Sequence, residues 1–128
     1  MDYRTGLVWQ DCQHRRLLEM FDAVANIGED DGNCGECVPL LQRIIEFAAG
    51  HFEIEEAYME RCGDPGREMH AREHAAFLQR LNNIVDTAAV ADSSLRAEIS
   101  AELTRWFRNH ILEVDQEFAA RVLSDRTV

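Results

Sequence analysis

The chain has 128 residues, the usual size of a single domain and enough to bury a core without disulfide staples. Its formal net charge of −11, from 24 acidic against 13 basic residues, argues against phosphate backbones and anionic membrane surfaces and suits a protein that attracts cations. With no run of about 18 apolar residues and no secretory signal at the N-terminus, the sequence reads as one cytoplasmic domain over residues 1–128. Its partners include no nucleic acid and no membrane, and its four cysteines are expected to be reduced.

The residues before Asp11, with Leu7, Val8 and Trp9, read as an extended arm laid against the rest, anchored by Trp9. A first helix is expected over 11–28, where His14, Leu17, Leu18, Phe21, Val24 and Ala25 keep the i, i+3, i+4, i+7 rhythm of one apolar stripe. The acidic stretch from Glu29 to Gly35 is a loop by composition, and Pro39 fits the first turn of the next helix. That helix, 38–62, carries the row Leu41, Ile44, Ile45, Ala48, His51, Phe52, Glu55, Tyr58.

Gly63 stops the second helix, and Asp64-Pro65 supplies an N-cap acceptor followed by proline at the first helical position. The third helix, 65–88, turns His70, His74, Phe77, Leu81, Ile84 and Ala88 to one side. Asp92, Ser93 and Ser94 cap a fourth helix over 93–123, with the row Leu95, Ile99, Leu103, Trp106, His110, Val114, Phe118, Val122. Four helices joined by short connections predict an all-α, antiparallel up-down-up-down four-helix bundle with an extended N-terminal arm.

Every histidine falls on one of these inward rows. A single His on an apolar row is most often a core residue whose nitrogens are satisfied by neighbours. The inward face covers about three positions in seven, so five histidines placed at random would all face inward roughly once in seventy chains. His51 with Glu55 and His70 with His74 are i,i+4 pairs, so each pair shares a helix face and can grip one ion. Imidazoles and carboxylates suit iron, manganese or zinc, and five imidazoles with two carboxylates exceed what one ion takes. Glu-x-x-His, the signature of ferritin-like di-iron bundles, does not occur in the sequence, nor does the His-Glu-x-x-His zinc motif.

Asp11-Cys-Gln-His14 before a Leu-rich helix, His51-Phe-Glu-Ile-Glu55-Glu56, His70-x-x-x-His74, and Trp106-x-x-x-His110-Ile-x-x-x-Asp115 together resemble the hemerythrin family, its bacterial members in particular. The resemblance runs from Trp9 to about Phe118 and covers seven ligand positions in fixed order. It implies two iron ions with an oxo or hydroxo bridge: His70, His74 and His110 on one, His14 and His51 on the other, Glu55 and Asp115 bridging both. The open position then falls on the iron held by His14 and His51, and the function implied is reversible dioxygen binding for storage, delivery or scavenging, without catalytic residues. Other small diatomic or anionic ligands are further candidates for that position. The alternatives are an O2- or redox-sensing module with a fused or separate signalling output domain, and a di-iron nitric oxide or peroxide reductase.

Some expectations are less direct. His110 and Asp115 are five apart, about 140° round an ideal helix, so periodicity nominates Glu113 where the resemblance nominates Asp115; a local π-type widening would reconcile them. Glu56 is set aside in favour of Glu55 and placed on a solvated face with Glu53, Glu60 and Glu113. Cys34-Gly-Glu-Cys37 reads as incidental loop thiols, with a redox dithiol as the alternative, and Cys12 and Cys62 as packed helical residues. Phe52, Phe77, Trp106, Phe107 and Phe118 form either a wall that keeps water from a bound ligand or ordinary core.

Overall fold

A computed structural model of the protein describes residues 4–26, 37–88 and 92–125. The helices are α1 (Val8–Ala25), α2 (Cys37–Cys62), α3 (Arg67–Ala88), α4 (Ser93–His110) and α5 (Gln116–Asp125), and a π-helical turn, Ile111–Asp115, joins α4 to α5. The fourth helix of the bundle is therefore continuous but wound in two registers. α1 packs on α4 and α2, and α2 packs on α3, an all-α four-helix bundle with no strand among the described residues.

The helix ends follow from local chemistry. The Asp11 carboxylate reaches back to accept hydrogen bonds from Thr5 N at 2.7 Å and Gly6 N at 3.2 Å. It thus satisfies donors ahead of α1 and puts negative charge in the first turn. The lead-in is shorter than the sequence suggests, because Val8 and Trp9 belong to the first turn of α1 rather than to an arm. Its Trp9 instead stacks on Tyr58 of α2, centroids 5.3 Å apart.

At the end of α2, Gly63 adopts φ +64°, which any side chain would resist. Gly63 N donates to Glu60 O and Asp64 N to Met59 O, the paired bonds of a Schellman turn. Asp64 then caps the turn into α3 through Gly66 N at 2.8 Å, and Asp92 caps α4 through Leu95 N at 2.8 Å.

Two apolar clusters form the interior. The larger holds Leu17, Phe21, Leu41, Ile44, Phe77 and Leu103 among others; the smaller holds Leu7, Met59, Phe118, Ala119 and Val122. Along three of the four bundle helices the histidines fall between these clusters: His14 between Leu7 and Leu17, His51 between Ala48 and Met59, His110 between Phe107 and Phe118. Phe107, absent from the row expected for the fourth helix, is fully buried, while Trp106 is only partly so.

Candidate metal centre

All seven predicted ligands come together at that level. α1 contributes His14, α2 His51 and Glu55, α3 His70 and His74, α4 His110, and the π-helical turn Asp115. None is more than 3% exposed. The π turn adds the residue that a regular helix lacks, carrying Asp115 inward and leaving Glu113 exposed.

Each imidazole turns Nε2 to the centre. His70 and His110 place it 2.9 and 3.2 Å from Asp115 Oδ1, and His14 places it 3.0 Å from Asp115 Oδ2. His74 and His51 approach Glu55 Oε1 at 3.2 and 3.4 Å. The donor atoms fall into two groups, each within 4.8 Å across: Glu55, His70, His74, His110 and Asp115 in one, His14, His51, Glu55 and Asp115 in the other. Both carboxylates belong to both groups.

Several of these donor atoms have no hydrogen-bond partner. His14 Nε2, His51 Nε2, Glu55 Oε1 and Asp115 Oδ2 are buried without any hydrogen bond, although His14 Nε2 and Asp115 Oδ2 lie 3.0 Å apart. His74 and His110 also face each other Nε2 to Nε2 at 3.3 Å, where at most one carries a proton. Buried polar atoms left in this state are costly, and a cation shared among them removes that cost.

The electrostatics favour bare donors. Burial pushes the imidazole of His51 down to about 4, against the opposing charge of Glu55. Burial and the neighbouring His70 push His74 down to about 3, so both are neutral near pH 7 and keep a lone pair for a metal. Burial would also lower His110, but the hydrogen bond and charge of Asp115 raise it. The two carboxylates diverge. Burial and the charge of Asp115 raise Glu55, whereas Asp115, despite its burial, is held well below the carboxylate range by His110, His14 and His70.

Outer partners orient two of these imidazoles, and sequence reasoning did not find them. His51 Nδ1 meets Gln13 Oε1 at 2.5 Å and His74 Nδ1 meets Glu56 Oε2 at 3.0 Å, while His110 Nδ1 is buried without a hydrogen bond, Glu73 Oε1 being 3.8 Å away. A proton held on Nδ1 leaves Nε2 free to coordinate. Glu56 is thus not on a solvated face: it is half-buried against His74. Gln10, one turn before His14, is fully buried and donates from Nε2 to Glu55 Oε2 at 2.5 Å. Its position on the inward row of α1 is the signal that could have revealed it.

Aromatic rings close the site on both sides. Phe52 lies flat on His74 with centroids 3.8 Å apart, and Trp106 stacks on His110 at 4.9 Å. Phe107 stands nearly perpendicular to His14 at 5.2 Å, and Phe118 to His70 at 6.0 Å. Phe77 stands one layer out, stacked on Trp106 at 4.1 Å.

The described cysteines, Cys12, Cys37 and Cys62, take no part in the site. Cys12 and Cys62 are exposed rather than packed. Cys37 is the first residue of α2 and fully buried in the core rather than a loop thiol, while Cys34 lies outside the described residues. No described helix is long and apolar enough to cross a membrane.

Residues 5–122 match the family described as Hemerythrin HHE cation binding domain. Among curated proteins, the chain is 31% identical over 123 residues to a bacteriohemerythrin of Stenotrophomonas maltophilia, covering 94% of this chain and 78% of that protein. It is 27% identical, over the same shares, to a bacteriohemerythrin of Pseudomonas aeruginosa. To the bacteriohemerythrin of Clostridium acetobutylicum it is 24% identical, over 91% of this chain and 94% of that one.

Proposed function

The chain belongs to the hemerythrin family, and on that premise we propose that it is a non-heme di-iron protein, a single domain that reversibly binds dioxygen for storage, delivery or scavenging. The observation that carries this reading is the unequal division of donors around two shared carboxylates. His70, His74 and His110 would hold one iron, His14 and His51 the other, with Glu55 and Asp115 common to both and an oxo or hydroxo group from solvent between them. Three histidines, two carboxylate oxygens and that bridge complete six positions on the first ion. Two histidines leave the second ion one short, and the ligand would enter there.

Bound iron would supply the electrons that dioxygen takes up on binding and returns on release. The protein's residues do the rest. Gln13 and Glu56 keep the protons of His51 and His74 on Nδ1, so the nitrogens facing the centre stay unprotonated. Phe107, buried beside His14 and His51, keeps the two-histidine side apolar and excludes water from a small neutral ligand.

The test is optical. The protein is loaded with iron, reduced without air, exposed to dioxygen and then purged. A visible absorption that appears with dioxygen and disappears on purging is expected. Irreversible oxidation with no reversible band would overturn the carrier reading and favour sensing or reduction of nitric oxide or peroxide.

A further inference from the structure

Gln13 and Glu56 obey one rule of placement. Gln13 directly precedes the ligand His14 on α1 and serves His51 on α2. Glu56 directly follows the ligand Glu55 on α2 and serves His74 on α3. A residue next to an inward ligand is turned about 100° round its helix, onto the flank that meets a neighbouring helix. Each of these helices thus hands a side chain to an imidazole of the next helix in the chain.

The same rule singles out Glu73. It directly precedes His74 on α3, and its Oε1 lies 3.8 Å from Nδ1 of His110 on α4. This flank of α3 faces α4 further along as well, since Arg80, two turns on, reaches Glu102 of α4 at 2.9 Å. The nitrogen that Glu73 approaches needs an acceptor. His110 Nδ1 is buried without a hydrogen bond, while Nε2 of the same ring is turned to Asp115 Oδ1 at 3.2 Å. An imidazole that gives Nε2 to a metal must carry its proton on Nδ1, and a buried N–H left bare is costly. Glu73 is only partly buried, so a small torsional adjustment of its side chain closes the remaining distance.

We propose that Glu73 is the positioning residue of His110, accepting a hydrogen bond from Nδ1–H when an ion sits on Nε2. The assignment rests on the two-ion reading of the centre in placing His110 on the three-histidine ion. A cation on Nε2 makes Nδ1–H a stronger donor, and its bond to a carboxylate is charge-assisted. The consequence is chemical as well as geometric, because an imidazole held by a carboxylate is a more basic ligand. Glu73 therefore strengthens the hold on the ion of His70, His74 and His110 and leaves the ion of His14 and His51 untouched.

The experiment uses cobalt(II), a paramagnetic ion that moves the Nδ1 protons of coordinated imidazoles far outside the other proton NMR signals. They are recognised by their loss in heavy water, so the readout does not depend on dioxygen binding. Wild type, Glu73→Ala and Glu73→Gln are loaded with cobalt(II) and compared, with helix content followed by circular dichroism. In Glu73→Ala one such signal is expected to vanish through fast exchange with solvent, and one ion should pass to a chelator about tenfold faster than from wild type, a change typical of outer partners of metal ligands. Glu73→Gln, whose amide oxygen still accepts, should keep the signal and release the ion at an intermediate rate. Identical signals and release in wild type and Glu73→Ala would overturn the proposal. A Glu73→Gln that behaves as Glu73→Ala would do so too, since the effect would then be one of charge and not of an accepted bond. Lost helix content in Glu73→Ala, with both ions loosened alike, would make Glu73 a support of the fold and equally overturn it. A wild type that takes one ion would overturn the two-ion reading, whereas the role of Glu73 stands or falls on the signal in either case.

Discussion

Glu56 holds His74 from behind: its Oε2 lies 3.0 Å from His74 Nδ1, while Glu55, its neighbour in the chain, faces Nε2 of the same ring at 3.2 Å. One imidazole is thus gripped by consecutive glutamates of α2, one on the metal side and one on the solvent side. Outer partners of this kind typically contribute 10–100-fold in metal affinity. Glu56→Ala should therefore lose iron about tenfold faster to a chelator than wild type, and Glu56→Gln, whose amide oxygen still accepts, should fall between. Equal loss from all three proteins would show that His74 needs no such partner.

The unequal histidine groups predict unequal vulnerability. His51→Ala leaves the group of His70, His74 and His110 complete, so the variant should retain about one iron per chain and lose its optical response to dioxygen. Two irons per chain with an unaltered response would refute the placement of His51 in the open half of the site.

Asp115 and Glu113 separate two ways of reading the fourth helix. Asp115→Asn removes the charge common to both donor groups and should lower bound iron from two ions per chain to one or fewer. Glu113→Gln, on the exposed side of the π turn, should leave iron content within error of wild type. Metal analysis of the two purified variants decides the matter.

That contrast marks where the sequence stops being legible. The rows through Leu41, Ile44 and Ala48, or Phe77, Leu81 and Ile84, expose the bundle because helix packing repeats with the turn of the backbone. The five histidines are legible for the same reason. Asp115 is not legible from periodicity, since its place depends on one extra residue in the turn, and only the family resemblance nominates it. Gln13 and Glu56 escape for another reason. They flank their own helix's ligands but serve a ring on a different helix, or one reached only after packing, as Gln13 of α1 serves His51 of α2.

The bond between Arg121 and Asp64 ties α5 to the turn before α3, with Nε to Oδ2 and Nη2 to Oδ1 both at 2.9 Å. Asp64 is almost wholly buried there, and its hydrogen bonds lift the Arg121 guanidinium further above its usual range. Arg121→Ala would leave the buried Asp64 carboxylate with only the Gly66 N hydrogen bond, at a cost of about 1–3 kcal/mol. Arg121→Lys should recover only part of this, because an ammonium does not match both oxygens at once. Urea midpoints of the metal-free proteins measure the difference; a midpoint for Arg121→Ala equal to wild type would show that water replaces the guanidinium fully.

The buried imidazoles also make the metal-free protein sensitive to acid in a predictable direction. His51 and His74 fall from 6.5 to about 4 and about 3 on folding, burial being the largest cause for each. Between those values and 6.5 the unfolded chain binds protons at these positions that the folded chain does not. Stability therefore rises with pH across this window, is fully present above about 6.5, and is lost as pH falls toward 4. Each group contributes a slope of up to about 1.4 kcal/mol per pH unit. Glu55 opposes them, because its raised value means that the folded chain holds a proton that the unfolded chain has released above 4.5. His110, also raised, acts only above 6.5, where its contribution declines as pH increases. With two imidazoles against one carboxyl, stability still rises with pH between 4.5 and 6.5, less steeply than the imidazoles alone would make it. Urea unfolding of the metal-free protein at pH 4.5, 5.5 and 6.5 should show this, and His74→Gln should flatten it by removing one of the two protons. A wild-type stability that stays level or increases as pH falls from 6.5 to 4.5 would mean that the folded protein admits protons to His51 and His74, contrary to the burial that lowers them.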